Sequence, residues 1–200
     1  MFPLGSVVFP QQSLPLHVFE ERYRALVRDC LASDRTFGVV LIERGSEVGG
    51  GDVRFDVGCT AGIVHADELP DGRWSLLTAG VSRLRILEWL PDDPYPRADV
   101  ALGDGGSWDT AAEGAFDHAL SGFARVVALA DQLGYAIDPR VLELPGEAVW
   151  DHWVLSARAP IGELDRYALL AARTPAERMQ LLGTQLAELE AVLATRLAGG

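Results

Sequence analysis

Four histidines, two cysteines and 29 Asp or Glu side chains are the groups of this 200-residue chain that acid–base, nucleophilic or metal chemistry would have to use. His17, His65, His118 and His152 are scattered along the sequence. None stands in the His-x-x-x-His or Cys-x-x-Cys spacing that brings two metal ligands onto one turn. His65 with Asp67 and Glu68 is the one histidine–acid cluster on a turn, and it reads as a solvated hairpin end. Asp117–His118 and Asp151–His152 put neighbours on different helix faces, so neither pair is a dyad by itself. No Gly-x-Ser-x-Gly elbow is present. Lysine is absent, and all 17 basic residues are arginine. A phosphate-binding loop with its lysine, a Ser–Lys dyad and a Schiff-base lysine are therefore excluded. Cys30 and Cys59 sit among apolar residues and are expected as buried free thiols in a reducing cytoplasm. These residues predict a chain that is not an enzyme and holds neither metal nor cofactor.

The polar residues that rise above this background are not catalytic types. His17, Glu20, Arg22 and Tyr23 lie where a short strand pattern meets a helix pattern, and Arg83 and Arg85 are expected to share a strand face with Leu87 and Trp89. An arginine on a half-buried strand needs a carboxylate or a carbonyl, so pairing of Arg22 or Arg83 with Glu20 is expected. The candidate contacts for a bound peptide or partner are His17, Glu20, Arg22, Tyr23, Arg83 and Trp89.

The elements that would position them follow from periodicity. Pro3, Pro10 and Pro15 confine the opening segments to edges, strand starts or bends, because proline gives a ladder no N–H. Glu20 and Glu21 favour the start of a helix whose buried stripe is expected to be Phe19, Tyr23, Leu26, Val27, Cys30 and Leu31. Strand patterns with turn signals continue to about residue 100. Asp71–Gly72 is a two-residue hairpin signal, and Gly80 marks a bulge or corner in an otherwise long strand. After a glycine-rich stretch near residues 103–107 the period changes from two to 3.6. Phe116, Leu120, Phe123, Val127 and Ala130 are expected to line a long helix; Val149, Trp150, Trp153, Val154 and Ala157 the next; Leu164, Tyr167, Ala168 and Leu170 a short one. Thr174-Pro-Ala-Glu177 is a capping box, and it opens a last helix seamed by Met179, Leu182, Leu186, Leu189 and Leu193. The division expected is a β-rich unit over 1–103 and a helical bundle over 104–200.

The opening Phe2-Pro-Leu-Gly-Ser-Val-Val-Phe-Pro10, with Leu14-Pro-Leu-His-Val-Phe-Glu-Glu-Arg-Tyr-Arg-Ala-Leu-Val-Arg28, resembles the Lon protease N-terminal domain family. In particular it resembles the short stand-alone proteins that carry this domain without the ATPase and peptidase domains. The likeness continues in order through Phe37–Ile42, Val57–Val64, Leu69–Trp74, Ala79–Ile86 and Tyr95–Val100. Family members usually carry several residues before the Phe-Pro-Leu-Gly motif, which Met1 abuts here. The resemblance implies an α+β protein, with a PUA-like, partly closed β-barrel holding one early helix and then a C-terminal helical bundle. It also implies a non-enzymatic module that recognises unfolded or partner polypeptides, with an adaptor in proteolysis as the expected use.

Charge bears on the partner. The formal net charge is −12. The first 103 residues hold 10 arginines against 15 carboxylates, hence −5, and the remainder 7 against 14, hence −7. PUA-type folds elsewhere bind RNA, but neither part has the cationic footprint that phosphates require. Arg22, Arg24, Arg28 and Arg35 read as a solvated helix face with acidic neighbours. No nucleic acid and no membrane is expected as partner. The alternatives are a small hydrolase using His and carboxylate groups in a cleft between the two units, or an RNA-binding PUA-like protein.

Overall fold

Short proline-punctuated apolar runs at the start give strands β1 (Phe2–Leu4) and β2 (Ser13–Val18), and the acidic pair then opens helix α1 (Glu21–Leu31). Four more strands follow, β3 (Thr36–Arg44), β4 (Val53–Glu68), β5 (Trp74–Leu90) and β6 (Arg97–Leu102). The computed structural model describes residues 1–103 and 105–199, and the chain divides between Asp104 and Gly105 into two units.

The first unit is a curled half-barrel. Strand order is β1-β3-β4-β5-β2, with β6 also paired to β5. β1 runs parallel to β3, and the other pairs are antiparallel. β4 and β5 form the hairpin that Asp71–Gly72 signals, with Gly72 at φ +78°. At Gly80 the register between β4 and β5 slips, and a Cβ there would lie 2.0 Å from the Phe9 carbonyl oxygen. Only glycine allows that approach. Tyr23, Leu26, Val27 and Cys30 of α1 close the barrel core against Phe2, Val18, Phe37, Cys59 and Leu76. Each such side chain contributes about 2 kcal/mol by leaving water.

Two expectations fail here for local reasons. Phe19 is 54% exposed, because it precedes the extended N-cap Glu20 and so lies outside the helical period. The common face of Arg83, Arg85, Leu87 and Trp89 does not exist. A register slip between Ile86 and Glu88 leaves Leu87 exposed and turns Trp89 onto the cluster of Val40, Leu84 and Ile86, while Arg83 is buried and Arg85 exposed.

The second unit contains α2 (Thr110–Gln132), a 3-10 turn η1 (Pro139–Leu142), α3 (Ala148–Arg158), α4 (Glu163–Ala171) and α5 (Pro175–Gly199). Asp109 caps α2 by accepting the Ala112 N–H at 2.8 Å. At the capping box, Thr174 accepts the Glu177 N–H at 3.1 Å, and Glu177 reaches back to the Arg173 N–H. α2 packs mainly on α5. Its buried line is Ala112, Ala119, Gly122, Phe123, Val126 and Ala130, a rotation away from Phe116, Leu120 and Val127, because the small residues permit the closer approach. The expected lines of the next two helices also shift. Val149 and Leu164 are exposed, whereas α3 buries Asp151 through Ser156 and α4 buries Arg166, Leu169 and Leu170.

Arginines tie successive elements of this unit together. Arg158 of α3 donates to the carbonyls of Arg140, Val141 and Glu143 at η1. Arg166 of α4 donates to Ala157 O at the end of α3, 2.7 Å away. Arg178 of α5 donates to Leu169 O and Ala172 O at the end of α4, both at 2.9 Å. Each guanidinium satisfies carbonyls that a helix end leaves without partners.

Candidate functional site

The sheet order leaves β1 and β2 as strands with one unpaired side each. The direction of β2's main chain can be read from its register. The Gly80 N–H donates to Gln12 O at 2.8 Å, and Ser13 through Val18 then pair with Ala79 through Trp74. Along an antiparallel strand, residues that bond the neighbour alternate with residues that turn N–H and C=O away. Leu14, Leu16 and Val18 therefore face β5, while Ser13, Pro15 and His17 turn theirs to the open side. The side chains alternate with the same period across the faces of the sheet, with Leu16 and Val18 buried and Ser13, Pro15 and His17 exposed. Pro15 stands where it deprives the sheet of nothing.

A groove of about 180 Å³ lies between these two edges. β1 gives it Phe2 and Leu4, and β2 gives it Pro15 to Val18. Phe19, Glu20 and Tyr23 come from the entry to α1, and Glu47 and Val48 from the β3–β4 loop. That loop is tied down by Glu47 accepting the Gly5 N–H at 2.5 Å and by Glu20 accepting the Gly49 N–H at 3.3 Å. Arg22 pairs with Glu20 at 3.2 Å and lies over the Tyr23 ring at 4.4 Å, as the pairing expectation for Arg22 holds. Tyr23 stacks on Phe2 with ring centroids 4.3 Å apart. Its hydroxyl is buried and has no hydrogen-bond partner among the described residues. Burial raises the Tyr23 pKa to about 12, so the group stays a donor at neutral pH. A smaller recess beyond Phe19 is lined by His17, Leu69, Arg73 and Trp74, and the buried Trp74 Nε1 likewise has no partner.

Four of the six candidate residues thus come together: His17, Glu20 and Tyr23 line the groove, and Arg22 braces it. Arg83 and Trp89 do not line it. Trp89 belongs to a separate apolar cluster, with the Arg54 guanidinium 4.9 Å from its ring centroid. Phe2, Leu4, Glu47 and Val48 complete the groove, and only the glycine run after Val48 signalled a loop there.

The model of the Lon ATP-dependent protease substrate-binding domain matches residues 1–188. The chain belongs to this family. A Lon N-terminal domain protein from Xanthomonas campestris superposes with a TM-score of 0.62 at 28% identity, covering 90% of this chain and 94% of that one. The N-terminal domain of a Mycobacterium avium complex Lon protease gives 0.65 at 15% identity over 93% and 97%, which shows a shared fold. Lon protease 2 of Herpetosiphon aurantiacus is 33% identical over 101 residues, and the Lon protease of Cytophaga hutchinsonii 35% over 105. Those alignments cover 50% and 51% of this chain but only 12% and 13% of the two proteases.

The other chemically suggestive groups of this Lon-type domain are engaged in structure. His65 and Asp67 pair at 3.0 Å in an exposed position, and no group of three or more His, Cys, Asp or Glu side chains among the described residues is placed to hold a metal ion. Cys30 and Cys59 are free and buried, and burial pushes their thiols up to about 11 and about 12. Arg24 and Arg28 both pair with Glu21, so the arginines of α1 stand beside carboxylates. His152 is 4% exposed, stacked near Trp108, with Nδ1 3.4 Å from Arg178 Nη1. Burial and then the Arg178 charge push its pKa down to about 3. Arg178 lies 3.6 Å from the Trp153 ring centroid. No helix among the described residues is long and apolar enough to cross a membrane.

Proposed function

We propose that the chain is a non-enzymatic module that binds extended segments of unfolded or partner polypeptides at the groove between β1 and β2. The observation that carries this reading is the groove itself, bounded by two unpaired strand edges and floored by Phe2, Leu4 and Tyr23. Its volume is below the roughly 300–1,000 Å³ of small-molecule sites and suits a side chain or two. The family, the substrate-binding domain of the ATP-dependent protease Lon, points the same way. Such a module would work as an adaptor in proteolysis, delivering a client or docking on a protease, in a reducing cytoplasm that suits two free thiols. The carboxylates beside the α1 arginines and the net charge of −12 weigh against RNA. Fluorescence anisotropy with a reduced, carboxymethylated protein and with single-stranded RNA tests the reading. Saturable binding to the first and none to the second is expected; the reverse, with binding that collapses in salt, would replace this reading with RNA recognition.

A further inference from the structure

We infer, building on the polypeptide-binding reading, that the occupant is one extended apolar segment carrying an arginine or lysine, which adds to β2 as a further strand. Three features of the groove specify it. The first is main-chain geometry. His17 turns its N–H and C=O to the open side, so an incoming strand finds both a donor and an acceptor there. Pro15, two residues away at the next outward position, has no N–H to give, so the added ladder is short and centred on His17.

The second feature is charge. Glu20 and Glu47 are the charged side chains that line the groove, and no arginine lines it. Glu20 is paired with Arg22, whereas Glu47, among the described residues, accepts the Gly5 N–H and pairs with no arginine. A cation on the incoming segment answers Glu47, and an acidic segment is repelled by it. The third is the buried hydroxyl of Tyr23, a residue that lines the groove; this protonated donor has no partner among the described residues. A main-chain carbonyl of the segment would satisfy it once binding parts the side chains that cover it, and the side chain beside that carbonyl would fill the space over Phe2 and Leu4.

The probes are short fluorescein-labelled peptides of alternating valine and threonine. One has a central arginine and a twin has glutamate there. Two further forms of the arginine peptide are N-methylated on the odd or on the even amides. A strand shows one set of amides to each side, so strand addition predicts that one methylated form loses binding by about tenfold or more while the other keeps it. The arginine peptide should bind about tenfold tighter than its glutamate twin, and Glu47→Gln should erase most of that gap. Equal response to the two methylations, both kept or both lost, overturns strand addition while polypeptide binding stands. Loss of discrimination between arginine and glutamate in the unmodified protein overturns the assigned occupant. If neither unmethylated peptide nor the carboxymethylated protein binds, the wider reading falls as well. A second copy seated in the seam would appear as dimerisation by sedimentation that the arginine peptide competes away, and this also overturns the inference.

Discussion

The two units bury polar side chains to different ends. In the helical unit, Arg178 is fully buried, yet its guanidinium reaches Leu169 O and Ala172 O and lies against Trp153. In the half-barrel, the Tyr23 hydroxyl is just as hidden and has no partner among the described residues. A buried donor that its own chain satisfies stabilises the fold, and losing it exposes the cost of the carbonyls left behind. A buried donor that its own chain leaves unsatisfied is a standing cost, which a ligand can remove. The contrast separates a buried donor that the fold uses from one that the fold, among the described residues, does not use.

The largest effect should come from the satisfied side. Arg178→Met is expected to cost about 3 kcal/mol or more, by stranding the end of α4, with peptide binding unchanged in the folded protein. Urea unfolding followed by tryptophan fluorescence reads it, and a cost within about 0.5 kcal/mol would collapse the contrast. Gly80→Ala tests the rigid side of the half-barrel. It drives a methyl into the Phe9 carbonyl and should cost roughly 2 kcal/mol in the same assay, against nothing if the strand yields freely. Next comes pH. The folded His152 pKa of about 3 lies below its unfolded value near 6.5, so the unfolded chain takes up this proton first. Its contribution is complete above about pH 6.5 and is lost as pH falls toward 3, at up to about 1.4 kcal/mol per pH unit. His152→Gln should flatten the stability profile just below pH 6.5, and an unchanged slope would place the titration elsewhere. Smallest is Tyr23→Phe. It should leave stability within about 1 kcal/mol of the parent or raise it, and weaken the arginine peptide by roughly three- to tenfold. A clear loss of stability would show that the hydroxyl is used by the fold, moving Tyr23 to the same side as Arg178.

Much of the architecture was legible because its signals are local. Prolines at 3, 10 and 15, the Asp71–Gly72 turn, the corner at Gly80 and the capping box at Thr174 each act within a few residues. Burial faces were less legible. The face of α2 turned because Ala119 and Gly122, which carry little apolar signal, allow the tightest packing. Trp89 changed sides through one extra residue at Leu87, and a slip of that kind leaves no mark on hydrophobic alternation. The candidate site was half legible. His17, Glu20, Arg22 and Tyr23 adjoin in sequence, so a strand-to-helix junction was enough to group them. Phe2, Leu4 and Glu47 join them only through the parallel pairing of β1 with β3 and the fold-back of a loop, which are long-range events.

The chain of arginines through the second unit has a kinetic consequence. Because each guanidinium belongs to one element and grips the end of the element before it, the ends of η1, α3 and α4 cannot fray singly. Opening any of them breaks a contact anchored in the next helix, so their amides should exchange with deuterium as one cooperative block.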